Sequence, residues 1–456
     1  MTQHLPPPYA LQTPDWEKFR SRRAQLMAWM RSQGGGIAVI PSAPERARNR
    51  DNHYTYRHDS DFFYLTGFTE PQAWLILLAG DQDKTILFCQ SKNEEMEIWH
   101  GVRWGPKAAA EHFGLDRAED VETLDQSIPP LLLGHSCLFT TMSRPASPEL
   151  LGKLQGWVTQ AASISRGTQA TPHQWLDLSE ILAEMRLIKD ATELDIMRAA
   201  GKISAQGHLR AMQAAQPGKY EYELEAELLY TFRKHGAQAV AYNSIVAAGA
   251  NACILHHAAG NSVMHDGELV LIDAGCELDG YASDITRTFP ANGKFSGPQR
   301  ALYDIVLAAQ EAAITHTSPA YHWNAGHEAA VGVLTQGLLD IGLLKGSLQE
   351  AIETSAYRPF YMHRTGHWLG MDVHDVGSYR TPPATSTERP WRMLEAGMVL
   401  TIEPGLYVRP AENVPEKFWN IGIRIEDDAI VTEQGCELIT RDVPVRAEEI
   451  ERLMRG

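Results

Sequence analysis

The stretch "LIDAGCELDGYASDITRTF", Leu271 to Phe289, decides the fold of the C-terminal half. It reads as two apolar strands folded over a turn, each with an aspartate, Asp273 or Asp284, in its interior. Aspartate is depleted in strands, and like charges facing each other across a ladder destabilise it. If "ELDG" forms a four-residue turn, Asp273 lies directly opposite Asp284. If Asp279-Gly280 is a two-residue turn, the aspartates become diagonal neighbours. Both registers put the carboxylates on one face, because they differ by two residues. Two carboxylates ~4 Å apart repel by about 4 kcal/mol at an effective dielectric near 20. Either one is protonated, a cation sits between them, or their side chains are absorbed by backbone groups.

Other strands repeat the anomaly. "GMVLTIEPGLYV" (397–408) carries Glu403 at its end, just before Pro404. "IGIRIEDDAIV" (421–431) alternates isoleucines with Gly422, Arg424 and Glu426, so a second strand pair brings two more carboxylates. "HRTGHWLGMDVHD" (363–375) adds His363, His367 and His374, with Gly366 and Gly370 arguing against a regular helix there. His256 in "NACILHHAAG" is a further candidate. One imidazole among four carboxylates suits hard or borderline divalent ions such as manganese, iron(II) or cobalt better than thiolate-loving zinc. Four negative charges balance two divalent cations, which points to a two-metal centre.

The rest of the chain bounds this reading. At 456 residues it holds two or more domains. A formal charge of -16 with no basic stripe argues against a nucleic-acid partner. The N-terminus lacks the basic and apolar regions of a signal peptide, and its "PPPY" (6–9) reads as a solvated tail rather than a docking motif. No apolar run is long enough to span a membrane. Five scattered cysteines without a CxxC suit a reducing compartment, and the expected location is cytoplasmic.

"GIAVI" (36–40), "WLILLAG" (74–80) and "KTILFCQ" (84–90) read as strands, and "WEKFRSRRAQLMAWMRSQGG" (16–35) as an amphipathic helix stopped by glycine. They predict an α/β domain over 1–188. From Lys189 onward helices alternate with hairpin-like strands, which predicts an α+β domain over 189–456.

The ordered set "DAG…SDITRTF", "HWLGMDVHDVG", "TIEPGLY" and "GIRIEDD" resembles the dinuclear metallopeptidases of the pita-bread fold. "YRHDSDFFYLTGFTEP" (56–71) and "EIWHG" (97–101) narrow the resemblance to bacterial aminopeptidase P. It implies a curved antiparallel sheet, two divalent ions with manganese the first choice, and Asp273, Asp284, His367, Glu403 and Glu426 as ligands. Asp284 and Glu426 would bridge the ions. The expected substrates are peptides with proline in second position. Glu403 would also shuttle the proton, with His374 stabilising the oxyanion and His256 orienting the substrate. His363 would stand near the substrate. Arg424 and Tyr407 match supporting and pocket positions, and Tyr407, Trp99 and the imidazoles would wall the proline pocket. Trp99 matches a residue that reaches a neighbouring subunit's site in a homotetramer, which also assigns oligomerisation and substrate access to the N-terminal domain. The stretch "YRTPPATSTERPWRM" (379–393) departs from the family in length and proline content.

Two rivals remain open at this point. A prolidase shares the metal centre but cuts only Xaa-Pro dipeptides, and a binding protein on the same fold would have lost its metals.

Overall fold

Apolar runs bounded by glycine set the layout of this computed structural model, which describes residues 16–381 and 389–455. The described chain divides into two compact units, one running to Met185 and one from Arg186. No helix among the described residues is long and apolar enough to cross a membrane.

The N-terminal unit is built on one six-stranded mixed sheet. Its order is Arg117–Asp120, Lys84–Cys89, Trp74–Ala79, Gly36–Pro41, Cys137–Thr140 and Gln174–Asp177. The three expected apolar strands lie adjacent and antiparallel at its centre. Gly36–Pro41 is buried along its whole length, as a strand covered on both faces must be. Ile37, Ile76, Phe88 and Leu138 pack against Ile128, Leu154 and Trp157 of the helices Leu124–Leu131 and Leu150–Ser165. The helix Trp16–Ser32 is followed by Gly34 and Gly35, both at positive φ, which glycine adopts without strain.

In the C-terminal unit the helix Ala191–Ala214 starts on a capping box, with Asp190 and Glu193 each accepting a backbone N–H from the other. The helices Glu221–Lys234, Gly297–Thr315 and Ala325–Asp340, with the shorter Leu348–Glu353 and Ala447–Arg455, supply the other helices of this unit. Short antiparallel strands supply the sheet layer.

The hairpin around Asp273 and Asp284 takes the two-residue turn. Glu277 pairs with Ala282 and Leu278 with Tyr281, and Asp279 and Gly280 both have positive φ. The aspartates are therefore diagonal, with Asp273 paired to Thr286. Two continuous strands were expected, but the ladder breaks at both aspartates. The outer part pairs Leu269–Asp273 with Thr286–Pro290, and the inner part pairs Cys276–Leu278 with Tyr281–Ala282 in a different sheet. Close approach at Gly275 marks the break, since a Cβ there would lie 1.7 Å from the Ser283 carbonyl oxygen. Beyond it, the Ala282 N–H donates to the carbonyl of Gly370, in the histidine-bearing loop.

The second strand pair repeats this construction. Val399–Ile402 pairs with Asp427–Val431, then Gly405–Val408 pairs with Ile421–Arg424. Glu403 and Glu426 fall in the breaks between. Each carboxylate thus stands at or beside a point where the ladder has stopped and the backbone can turn its side chain inward.

Candidate metal centre

The two broken hairpins meet through short polar links. The N–H of Glu426 donates to the carbonyl of Thr286 at 3.0 Å, and the Thr286 hydroxyl donates to Glu426 Oε2 at 2.6 Å. Arg424 donates to Asp273 Oδ2 at 2.5 Å and to the Tyr407 oxygen at 2.8 Å. These links hold the acids of one hairpin against those of the other.

His367 completes the cluster. Its Nε2 lies 3.5 Å from Asp284 Oδ2 and 3.6 Å from Glu403 Oε1. Donor atoms of Asp284, His367 and Glu426 all lie within 4.8 Å of one another. His367 Nδ1 donates to the carbonyl of Trp368 at 3.0 Å, so the tautomer that leaves a lone pair on Nε2 is fixed from behind.

The electrostatics fit a cation. Burial, with the charge of Asp273, pushes Asp284 up to about 6. Burial and the same neighbours push Glu403 up to about 7 and Glu426 well above the carboxylate range. Asp273 goes the other way, because Arg424 and the Tyr242 hydroxyl outweigh its burial. Burial disfavours a charged His367, yet Asp284 and Glu403 hold its pKa up at about 9. The cluster attracts positive charge, and a divalent ion supplies it without the protons. Donor type, burial and tautomer all suit an oxygen-rich divalent site.

The cluster opens into a cavity of about 690 Å³. His256, His363 and His374 line it beside Asp273, Asp284, His367, Glu403, Arg424 and Glu426. The His374 and His367 rings are 4.1 Å apart. His363 donates from Nδ1 to the carbonyl of Arg364 and accepts the Tyr407 hydroxyl on Nε2, and the second bond requires the neutral ring. Burial, with Arg424 nearby, lowers its pKa to about 3.

Tyr407, expected at the pocket, does not line the cavity. Tyr407 is 0% exposed and braces His363 and Arg424 from behind the wall. Trp99 belongs to the N-terminal unit, on the helix Glu94–His100, and is 76% exposed. The aromatic wall is formed instead by Trp323, Tyr379 and Trp391. Tyr379 and Trp391 belong to the proline-rich stretch, of which 382–388 lies outside the described residues, as does "PPPY".

Sequence reasoning also missed Tyr242, whose hydroxyl sits 2.6 Å from Asp273 Oδ1 and bonds Asp284 as well. A single tyrosine after a short strand gives no signal of that role.

With the fold and the cluster established, comparison with known proteins is decisive. The chain belongs to metallopeptidase family M24, whose model matches residues 195–433, preceded by the aminopeptidase P N-terminal domain at residues 19–139. It is 43% identical to the Xaa-Pro aminopeptidase of Escherichia coli strain K12, over 96% of this chain and 97% of that one. The solved aminopeptidase PepP of Pseudomonas aeruginosa superposes with a TM-score of 0.93 at 46% identity, covering 98% of this chain and 99% of the other. An Escherichia coli aminopeptidase P solved in complex with substrate gives 0.92 at 41% identity, over 97% and 99%. The C-terminal unit is accordingly a pita-bread catalytic domain, and M24 membership implies divalent metal binding.

Proposed function

We propose that this chain removes the N-terminal residue from peptides whose second residue is proline. The observation that carries the reading is the convergence of Asp284, His367 and Glu426 on one cavity, in a chain matched almost end to end by Xaa-Pro aminopeptidases.

Asp273, Asp284, His367, Glu403 and Glu426 would hold two divalent ions, manganese first among them. The hard oxygen-rich donor set and its balance of charge support that choice. Bound there, the ions supply Lewis-acid polarisation of a carbonyl and make water a stronger nucleophile.

The chain's own groups do the rest. Glu403 faces both the cavity and His367, where its carboxyl can take a proton from water and return it to the leaving nitrogen. His374, whose ring lies tilted beside that of His367, presents a ring N–H toward charge developing on the carbonyl oxygen. His256 orients the substrate from the opposite loop, and Trp323, Tyr379 and Trp391 offer apolar surface to the proline ring. The Xaa-Pro bond lacks an N–H and has a fixed φ, so a dedicated pocket is what its hydrolysis requires.

The exposed Ile98, Trp99 and Val102 support a homo-oligomer, a tetramer, in which Trp99 meets a neighbour. The five free cysteines support a cytoplasmic location.

The test uses protein stripped of metal and resupplied with manganese. An Xaa-Pro-Yaa tripeptide and the matching Xaa-Pro dipeptide are followed by mass spectrometry, beside Glu403→Ala. Metal-dependent loss of Xaa from the tripeptide, abolished in the variant, is expected. Cleavage of the dipeptide alone would make the protein a prolidase.

A further inference from the structure

Glu221, in the first turn of the helix Glu221–Lys234, is fully buried, and among the described residues no lysine or arginine pairs with it. Its carboxylate accepts four hydrogen bonds: from the N–H of Ala248 at 2.8 Å, the Asn251 amide at 2.9 Å, the N–H of Gly260 at 3.0 Å and His257 Nε2 at 2.9 Å. One carboxylate therefore ties down the whole loop that carries His256 and His257. Asn251 also donates to the Ser262 hydroxyl, which closes the loop's far end.

A buried carboxylate only accepts, so His257 Nε2 carries the hydrogen, and in the neutral ring Nδ1 is left as an acceptor. Among the described residues no protein group bonds Nδ1, and it is not sealed off as a buried orphan. The ring lines the catalytic cavity with Leu255, His256 and Ala258. Held by Glu221, it is an acceptor preorganised for something that enters the cavity.

The chemistry of the substrate decides what that is. In Xaa-Pro-Yaa the Xaa end is an ammonium, which the carboxylate cluster matches. The proline nitrogen has no hydrogen. The first amide N–H therefore belongs to Yaa. His257 hydrogen-bonds to none of the clustered acids and takes its carboxylate from Glu221 alone. We propose that His257 is a substrate-binding residue whose Nδ1 accepts the N–H of the residue following proline. The assignment rests on the aminopeptidase reading above. It makes His257 a determinant of preference for tripeptides and longer chains, because an Xaa-Pro dipeptide has no such group.

The test compares an Xaa-Pro-Yaa peptide with its depsipeptide, in which an ester oxygen replaces the N–H of Yaa and the scissile bond is untouched. Release of Xaa is measured for manganese-loaded wild type and His257→Phe. Wild type should prefer the peptide in kcat/KM by about 3- to 10-fold, the range of one hydrogen bond. In His257→Phe that ratio should fall to about one. A role confined to bracing the loop would lower both substrates together and leave the ratio intact, which would overturn the proposal. His257→Ala carries the same comparison if phenylalanine disturbs the fold. Failure of the wild type to release Xaa from either compound would overturn the aminopeptidase reading and this one with it.

Discussion

The backbone N–H of Asp284 donates to Oδ2 of Asp428 across 3.0 Å, so an acid of the first hairpin is positioned by an acid of the second. Asp428 is fully buried, and Thr440 caps its own N–H. Asp428→Ala would leave a buried donor unpaired, at a cost of about 1–3 kcal/mol. Asp428→Asn keeps an acceptor in place and should cost less. Urea unfolding of both variants checks the order, and manganese titration should show weaker binding in the alanine variant.

Tyr242 gives a second prediction. Its hydroxyl lies within hydrogen-bond reach of both Asp273 and Asp284, with its one hydrogen shared between them. Tyr242→Phe should retain the fold and lower metal affinity about 10- to 100-fold, as removal of an outer-shell partner does. Isothermal titration with manganese measures it.

Gly275→Ala should be far more damaging. The added Cβ would lie 1.7 Å from the Ser283 carbonyl oxygen, far inside van der Waals contact and against backbone rather than a flexible side chain. The expected result is loss of both the thermal transition and metal binding, whereas Gly152→Ala, on an open helix face, should change neither.

Metal loading should itself stabilise the protein. Like charges gathered in the cavity wall are relieved by a divalent ion, and a ligand at 100 times its Kd adds about 2.7 kcal/mol. Melting temperature should rise with manganese and fall with chelator. An unchanged melting temperature would refute the metal centre.

His208 sets an acid limit. Burial pushes its pKa down to about 4, which its hydrogen bond to the Ala274 carbonyl only partly offsets. Its folded pKa is depressed below the unfolded value, so its contribution is intact above about 6.5 and is lost as pH falls toward 4. The loss amounts to about 3 kcal/mol over that window. In His208→Gln the amide can still donate to Ala274, and the urea midpoint should depend less steeply on pH between 6.5 and 4.

Part of this design is written locally in the chain. Asp279-Gly280 announces a two-residue turn, and an acid inside an apolar run at Asp273, Asp284 or Glu426 announces a conflict that some partner must resolve. The breaks in the ladders are not local. They depend on Thr286 meeting Glu426, 140 residues away, and on how closely Gly275 approaches Ser283, which the residue types alone do not reveal. The burial of Tyr407 behind His363 and Arg424 is not legible either, because an aromatic residue near an acidic cluster fits a pocket wall and a buried brace equally well. His257 stands beside His256 in the sequence, and only the carboxylate of Glu221, far upstream, tells the two apart.

The repeated broken hairpin has a further consequence for the covalent chain. Asp273 and Asp284 precede the exposed turn at Lys345-Gly346, while His367, Glu403 and Glu426 follow it. A polypeptide opened at that turn would yield two fragments, neither holding Asp284, His367 and Glu426 together. Fragment complementation could then be scored by ion capture alone, because the seat for the metal is a property of the pairing and of neither piece.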